Sequence, residues 1–253
     1  MQNLLYHILN FTFPKFEKKI LKILRKEKKL IIFDVGCYKG VFTKNILKFD
    51  RKQKYKFFLF DINKNVKKYI KNLLKLKNIT YNEVALGHKR GKAIYNYNSS
   101  FESSGSSLSS VYKSDSKWNN SRKFLLKILS LNAHQNGFIK YIVKTTTLDN
   151  FLKKNKIKLI HVLKVDVDGF EHKLLQGAKK TLKKNKVKTI LIEISAKKDS
   201  FYKKEKKILS FLKKRNFVFI EKSNIFSVSL FSNTKSGDYL FVNKNCLEGY
   251  IHE

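Results

Sequence analysis

Two glycines follow a short apolar run near the start of the chain and could cradle a ligand. The run ends in FDVGCYKG over residues 33–40, so Gly36 and Gly40 are four residues apart. Gly36 permits a tight turn, and Gly40 allows a ligand or a helix start to approach the backbone closely. A dinucleotide-binding turn requires G-x-G-x-x-G, but Tyr38 and Val41 occupy its second and third glycine positions. The turn therefore favours a ligand with one ribose and no phosphate.

An acidic residue, Asp61, ends the next apolar run, 21 residues after Gly40. A carboxylate at this spacing can accept hydrogen bonds from both hydroxyls of a ribose that lies across the first two strand ends. An isolated Asp in such a position also serves as a helix cap, a role that Asn63 could share. Together with the glycine turn, Asp61 indicates a nucleoside site.

Charged side chains crowd the end of a later apolar run, in LKVDVDGFEH over residues 163–172. In a doubly wound sheet the carboxyl ends of the strands face the ligand crevice. Asp168 and Glu171 could instead be acids at a helix N-terminus. Asp166 follows directly from apolar strand residues, so it is the first candidate for a general base, and His172 is the second.

A metal site is the alternative use of these acids. Asp166 and Glu193 are expected to end adjacent strands, and their carboxylates suit a hard cation. The sequence offers no further matching ligand, so we predict no metal site.

Strand and helix patterns alternate along the chain and place these residues at strand ends. Apolar runs predict strands at 30–35, 56–60, 79–85, 92–97, 141–145, 161–165, 189–194, 217–221 and 238–242. Helical spacing predicts helices at 42–49, 66–76, 148–154, 171–184 and 205–214. We therefore predict an α/β fold, with a Rossmann-like, doubly wound, mostly parallel sheet of about seven strands and helices on both faces. A loop joins the last two strands, which predicts an antiparallel edge strand.

Two segments lie outside this alternation. Residues 1–29 form a basic amphipathic segment, with Phe16, Ile20 and Leu24 at helical spacing and Pro14 in the first turn. It is expected either to pack on the domain or to lie on an anionic membrane surface. Residues 30–253 form one domain with an insertion at about 98–140, in which eight of residues 99–110 are Ser and predict a loop. A helix is predicted around residues 124–129.

The residues and the order of these segments resemble those of the FkbM-type methyltransferases, a family with the class I fold of S-adenosylmethionine-dependent enzymes. The resemblance rests on DVG at 34–36 with Gly40, NEVALG at 82–87, TLD at 147–149, LKVDVDGFE at 163–171 with Leu175 and GA at 177–178, and IE at 192–193. The chain departs from the family pattern at Cys37-Tyr38, where Ala-Asn is usual, at Asp61-Ile62, where Glu-Pro is usual, and at Asp168, where Glu is usual.

The resemblance implies S-adenosylmethionine as the cofactor. It would contact the ends of the first three strands, through Asp34, Gly36, Gly40, Asp61, Glu83 and Val84. The first three residues would hold the methionine part, Asp61 would bind the ribose, and the last two would flank the adenine.

The resemblance also implies the residues around the methyl acceptor. Asp166 and Glu171 would line the acceptor side of the methyl group, and Lys164 would support them. The Ser-rich loop would cover the site.

Net charge is the sequence's second functional signal. The 253 residues include 55 Lys and Arg against 19 Asp and Glu, giving a net charge of +36. Such a charge suggests a nucleic-acid or anionic-membrane partner. Only five of these basic residues are Arg, the side chain suited to bidentate phosphate contacts, and the lysines are spread along the whole chain. We therefore favour a solvated lysine surface over a nucleic-acid partner.

Compartment follows from the cysteines and the apolar runs. Cys37 and Cys246 are too few for a disulfide framework and are expected to be thiols in a reducing compartment. No apolar run is long enough for a transmembrane helix, and no secretory signal is expected. The protein is therefore expected to be cytoplasmic.

These observations predict an S-adenosylmethionine-dependent methyltransferase that acts on a hydroxyl of a sugar, a glycan-linked group or another small acceptor. The sugar rests on the resemblance alone. Two alternatives remain: a nucleic-acid methyltransferase that uses the basic surface, and a basic binding module that keeps the fold without turnover.

Overall fold

A computed structural model describes residues 14–98, 107–110, 138–227 and 233–247, which form two sheets. The strands of the main sheet are β1 (Ile31–Val35), β2 (Lys56–Phe60), β3 (Ile79–Asn82), β8 (Ile160–Val165), β9 (Val187–Lys197), β10 (Phe217–Lys222), β11 (Phe226–Ser227) and β12 (Thr234–Asn243). The strands of the small sheet are β4 (Ala85–Leu86), β5 (Gly91–Asn98), β6 (Ser107–Ser110) and β7 (Phe138–Thr146).

The main sheet has the strand order β10-β12-β9-β8-β1-β2-β3, with β11 paired to β12. The strands from β9 to β3 in this order are parallel, and β12 is antiparallel to both of its neighbours, β9 and β10. This is the predicted fold class, and the antiparallel strand lies one place in from the edge. From β1 the chain continues to β2 on one side, whereas β8 lies on the other. The crevice at the carboxyl ends of β1 and β8 is therefore the switch point at which ligands bind in such sheets.

Helices cover both faces of the main sheet. They are α1 (Pro14–Ile23), α2 (Val41–Leu47), α3 (Val66–Ile70), α4 (Leu148–Lys154), α5 (Glu171–Gly177), α6 (Lys179–Lys183) and α7 (Lys198–Lys213), with single 3₁₀ turns at Leu73–Lys75 and Lys244–Cys246. Successive strand residues point to opposite faces. Ile32 accordingly packs with α1, α2 and α3, whereas Phe33 packs with α4 to α7. Each face has its own buried apolar cluster.

The N-terminal helix α1 packs on the domain, which is one of the two arrangements expected for residues 1–29. Phe16, Ile20 and Leu24 are buried in the cluster on its face of the sheet. Lys15 and Lys19 form ion pairs with Glu221 of the edge strand β10. Contact of this segment with a membrane stays a prediction, and residues 1–13 lie outside the described part of the chain. No helix among the described residues is long and apolar enough to cross a membrane.

The small sheet occupies part of the predicted insertion. Its order is β4-β7-β5-β6, with β5 antiparallel to β7 and to β6. The Ser-rich segment was predicted as a loop, which is wrong for Ser107–Ser110, because these residues pair with residues 93–96 of β5. Backbone pairing there overrides the composition. Residues 99–106 and the helix predicted around 124–129 lie outside the described residues.

Two predicted helices are shorter than expected. The helix predicted at 171–184 is divided between α5 and α6 at Ala178, which has φ −105° and ψ 8°. Gly177 at this break packs so closely that a Cβ there would lie 1.9 Å from the carbonyl oxygen of Gly87. The helix predicted at 66–76 ends at Ile70 and is followed by the 3₁₀ turn. Close backbone contact of this kind cannot be read from periodicity.

Candidate active site

The glycine turn after β1 is fixed by backbone contacts to two neighbouring strands. The N–H groups of Gly36 and Cys37 both donate to the carbonyl oxygen of Phe60, at 2.9 and 3.1 Å. Gly36 has φ +75°, and a Cβ on it would lie 1.7 Å from the carbonyl oxygen of Asp166. A side chain cannot fit there. The turn is therefore held at the switch point between β1 and β8.

Asp61 is joined directly to this turn. Its Oδ2 accepts a hydrogen bond from the N–H of Tyr38 at 2.8 Å, and its Oδ1 accepts one from the N–H of Asn63 at 2.9 Å. Burial raises the pKa of the Asp61 carboxyl, although these backbone N–H groups act in the opposite direction. Each oxygen keeps capacity for a further donor. The carboxylate is thus held beside the glycine turn and does not cap α3, whose N-cap is Asn65.

Glu83 and Val84 follow β3 at the same edge of the sheet. Asn82 pairs with Phe60, which brings the end of β3 next to Asp61. Glu83 is exposed and forms an ion pair with Lys67, with 2.8 Å between Nζ and Oε2. Val84 is partly buried against the core. The structure therefore brings Asp61, Glu83 and Val84 together, and their contact with an adenosine stays a prediction.

Lys164 joins the two sides of the crevice. Its Nζ donates to the carbonyl oxygen of Gly36 at 2.8 Å and to Oδ2 of Asp166 at 3.1 Å. The same Nζ lies 3.4 Å from Oδ1 of Asp34. Burial lowers the pKa of Lys164, but the charges of Asp166 and Asp34 outweigh it and hold the pKa above its usual value. Lys164 therefore remains an ammonium group and cannot serve as a base.

Asp34 lies behind the glycine turn. Its side chain is fully buried, and its Oδ2 accepts a hydrogen bond from Thr43 Oγ1 at 2.8 Å. Its Oδ1 accepts no hydrogen bond within the described part of the chain. In this structure Asp34 contacts Lys164 and the helix after the turn, so it positions the residues that face the crevice.

Asp166 combines a fixed backbone with an accessible carboxylate. Its N–H donates to the carbonyl oxygen of Val35 at 2.9 Å, which continues the pairing of β1 and β8. Its side chain is 37% exposed, against 14% for Lys164. Asp166 is thus anchored by Lys164 on one oxygen while it remains open to the crevice. A group so placed can accept a proton from a bound molecule.

Glu171 faces the interior. It is fully buried, and its Oε1 accepts a hydrogen bond from the N–H of Gly169 at 2.7 Å. It forms an ion pair with Lys204 of α7, whose Nζ also donates to the carbonyl oxygen of Ser195 at 2.7 Å. Burial raises the pKa of Glu171, and Lys204 acts against this.

The segment that Glu171 holds has an unusual backbone. Asp168 has φ +38° and Gly169 has φ +96°. The Glu171 carboxylate therefore fixes the loop that follows Asp166. His172, the second candidate base, packs its ring on Phe211 with 5.5 Å between ring centroids. Burial and then the neighbouring lysines lower the pKa of His172.

Two further acids, Glu193 and Asp238, stand beside Asp166. Lys164 pairs in register with Leu191, and Leu191 with Leu240. Glu193 follows Leu191 by two residues, and Asp238 precedes Leu240 by two residues in the antiparallel strand. Glu193 and Asp238 therefore pair with each other and share the sheet face of Lys164. Together with Asp166 they form an acidic wall, which is the name used below for these three residues.

The acidic wall has shifted proton affinities. Burial raises the pKa of Glu193 well above its usual range, and the charges of Asp166 and Asp238 raise it further, while Ser236 Oγ donates to its carboxylate. Burial, helped by the charge of Asp166, raises the pKa of Asp238 to about 7. A pKa near neutrality suits a group that exchanges protons.

The sequence analysis did not single out Asp238. The sequence shows Asp238 only as an acid at the start of the apolar strand predicted at 238–242. It reaches the crevice because β12 pairs with β9. Among the described residues, no group of three His, Cys, Asp or Glu side chains is placed to hold a metal ion.

The arrangement fits an adenosine-containing cofactor without a pyrophosphate. The turn at Gly36 excludes side chains, and the carboxylate of Asp61 stands next to it. An accessible carboxylate, Asp166, stands across the switch point. The chemistry available is to bind a nucleoside on one side and to accept a proton on the other.

Several solved structures are similar to this chain at low sequence identity. The methyltransferase FkbM from Methylobacillus flagellatus KT is 11% identical, with 84% of this chain and 43% of that chain covered and a TM-score of 0.48. M. capricolum TrmK, in complex with S-adenosyl-homocysteine, is 10% identical, with coverages of 89% and 67% and a TM-score of 0.43. M. jannaschii TYW2, in complex with AdoMet, is 10% identical, with coverages of 92% and 77% and a TM-score of 0.40.

This chain thus spans less than half of the length of the first of these structures. A search of curated proteins found no match to the sequence. The methyltransferase FkbM domain model matches residues 34–219, which include the glycine turn, Asp61 and the segment around Asp166. That match extends over more than half of the chain, and the chain belongs to the FkbM methyltransferase family.

Proposed function

We propose that this protein is an S-adenosylmethionine-dependent methyltransferase that methylates a hydroxyl oxygen of a sugar, a glycan-linked group or another small acceptor. The proposed cofactor is supported by one observation above all: the N–H of Tyr38, in the glycine turn, donates a hydrogen bond to the Asp61 carboxylate. It supplies a ribose-binding carboxylate beside a turn that lacks the pyrophosphate glycines. Family membership supports methyl transfer.

The cofactor would be held by the ends of the first three strands. Gly36 and Gly40 would let it approach the backbone, Asp61 would accept hydrogen bonds from its ribose, and Glu83 and Val84 would flank its base. When bound, S-adenosylmethionine supplies a methyl group that its sulfonium has already activated. Asp34 would act from behind the turn, through its contact with Lys164.

Asp166 would orient the acceptor hydroxyl and take its proton. The carboxylate is open on one side, while Lys164 holds it on the other at 3.1 Å. Lys164 stays protonated, so its ammonium group can hold the Asp166 side chain in one orientation. Positioned acid–base groups of this kind contribute about 10²–10⁴ to a rate.

The acidic wall favours an acceptor without phosphates. The three acidic side chains on this face of the crevice offer no positive charge to a phosphate, and they can form hydrogen bonds with hydroxyl groups. This supports a sugar or another polyol over the phosphate-rich backbone of a nucleic acid.

Cofactor binding is the direct test. S-adenosylhomocysteine should bind in isothermal titration calorimetry with micromolar affinity and raise the melting temperature, because ligands of the native state stabilise it. NAD should do neither, since the turn lacks the pyrophosphate glycines. Stabilisation by NAD, with no response to S-adenosylhomocysteine, would overturn the proposed cofactor.

The nucleic-acid alternative has its own test. If the +36 charge acts only through counterion release, binding to single-stranded RNA should be weak and should vanish by about 0.15 M salt. Nanomolar RNA binding that persists at about 0.2 M salt would favour an RNA acceptor.

A further inference from the structure

A lysine-lined cavity of about 410 Å³ lies between α4 and α6, away from the candidate site. Its charged lining consists of Asp149 and six lysines, namely Lys153, Lys156, Lys158, Lys180, Lys184 and Lys186. These residues stand around the loops that lead into β8 and β9, so the cavity is at the amino edge of the parallel sheet. The candidate active site is at the carboxyl edge.

The single acid in this lining is already engaged. Both carboxylate oxygens of Asp149 accept backbone hydrogen bonds at the start of α6, from the N–H of Lys180 at 3.1 Å and from that of Thr181 at 2.8 Å. Its negative charge is therefore directed at the backbone and not at the six ammonium groups.

The six lysines have no acidic partners within the described residues, where none of their ammonium groups forms an ion pair with a carboxylate. Lysines elsewhere do, as the pairs of Lys19 with Glu221 and of Lys188 with Glu27 show. The positive charge of the chain is thus left uncompensated around this cavity, although it is matched locally at several other places. Clustered charge of one sign in a concavity raises the local concentration of its counterion.

Shape indicates the size of that counterion. Leu152 and Thr181 in the lining are buried, whereas most of its lysines are exposed. A volume of about 410 Å³ is within the range of small-ligand sites. Ammonium groups on two opposed chain segments can contact several oxygens of one compact anion at once. A polymer would instead need a groove that continues along the surface.

We propose that this cavity binds a compact anion that carries several phosphate groups. Such an anion would bridge the α4 side, with Lys153 and Lys156, and the α6 side, with Lys180 and Lys184. Binding there uses no residue of the candidate active site, so the proposal stands independently of the methyltransferase function.

The test compares two triple variants of the full chain that remove the same charge. In the cavity variant, Lys153, Lys156 and Lys184 are each replaced by Gln. In the control variant, the exposed lysines Lys203, Lys206 and Lys213 of α7 are each replaced by Gln. The probe is inorganic tripolyphosphate, titrated by calorimetry at physiological salt. The cavity variant should lose about tenfold or more in affinity, since it removes three ion pairs, and the control should stay within twofold of the unaltered protein.

Three results would overturn the proposal. Equal weakening in both variants would mean that the probe responds to net charge alone. If tripolyphosphate did not bind to the unaltered protein, the proposed anion site would not exist. Tighter binding of single-stranded RNA than of tripolyphosphate at the same salt, with loss in the cavity variant, would assign the surface to a polymer. Both variants should keep the far-ultraviolet circular dichroism spectrum and the cooperative urea unfolding of the unaltered protein, which controls for folding.

Discussion

The two sides of the crevice are fixed by different forces. On the side of β1, β2 and β3, backbone hydrogen bonds among residues 36–63 hold the glycine turn and Asp61. On the side of β8, β9 and β12, buried charges from distant parts of the chain hold Asp166 and its neighbours. Backbone geometry depends little on pH, whereas buried charges depend on it strongly. The first side should therefore fail through steric changes and the second through electrostatic ones.

Substitution of Gly36 should have the largest effect. The Cβ of Gly36→Ala would lie 1.7 Å from a backbone oxygen at φ +75°, so both the turn and the β1–β8 contact must shift. We expect a loss of more than about 4 kcal/mol in the free energy of unfolding, or no cooperative transition at all. Gly87→Ala is the control, because a Cβ there meets no atom within 4 Å. Urea unfolding measures both, and similar midpoints would show that the turn is not rigidly held.

Removal of Lys204, the ion-pair partner of Glu171, should have the second-largest effect on stability. Lys204→Met would leave a fully buried carboxylate without its ammonium group and should cost about 3–5 kcal/mol. Lys203→Met, on the exposed side of the same helix, should cost less than about 0.5 kcal/mol. Adding Glu171→Gln to Lys204→Met should recover much of the loss in urea unfolding. Equal midpoints for the two single variants would contradict the electrostatic account of this side.

The division of labour between Asp61 and Asp166 gives a smaller effect. Asp61→Ala should remove the charge-assisted hydrogen bonds to the ribose, worth about 1.5–4 kcal/mol together, and weaken S-adenosylhomocysteine about ten- to a thousandfold. Asp166→Asn should leave that affinity nearly unchanged and lower turnover about 10²–10⁴-fold. Calorimetry compares the two affinities. Abolished binding in Asp166→Asn with normal binding in Asp61→Ala would mean that the cofactor does not lie across the first two strands.

The acidic wall should make stability depend on pH, with the smallest effect of the four. The pKa of Asp238 is raised to about 7 in the folded protein, so the folded state holds a proton that the unfolded chain has already released. The contribution of Asp238 is full at acid pH and is lost as the pH rises through 7. Asp238→Asn should therefore stabilise the protein by about 1–3 kcal/mol at pH 8 and change little at pH 4. Urea unfolding at both pH values tests this, and an equal change at both would exclude the titration.

The sequence predicted the side of the crevice whose parts are neighbours in the chain. Gly36, Gly40 and Asp61 lie within 26 residues, and strand patterning places both strand ends at one edge.

The resemblance also identified Thr147 and Asp149, whose structural roles are caps. Thr147 accepts a hydrogen bond from the N–H of Asn150 at 3.0 Å, and Asp149 holds the start of α6.

The other side could be predicted only in part. Asp166 and Lys164 stand in a recognisable segment, but Lys204 and Asp238 come from elements whose packing depends on the whole fold. Lys204 is one of 50 lysines, and nothing in its surroundings marks it as buried. Asp238 reaches the crevice because β12 inserts antiparallel between β9 and β10. Periodicity predicts strands but not the order in which they join a sheet.

The insertion of β12 also determines the order in which the molecule can assemble on the ribosome. The parallel strands from β3 to β9 can pair as soon as they emerge, because each neighbour precedes the end of β9 in the chain. β10 emerges before β12 but has no place in the sheet until β12 arrives, since it pairs with β12 and not with β9. A nascent chain therefore presents β9 as an open edge, at which unrelated strands can pair. Asp238 enters the crevice in the same step in which β12 pairs with β9. The acidic wall is therefore complete only when that edge of the sheet has been covered.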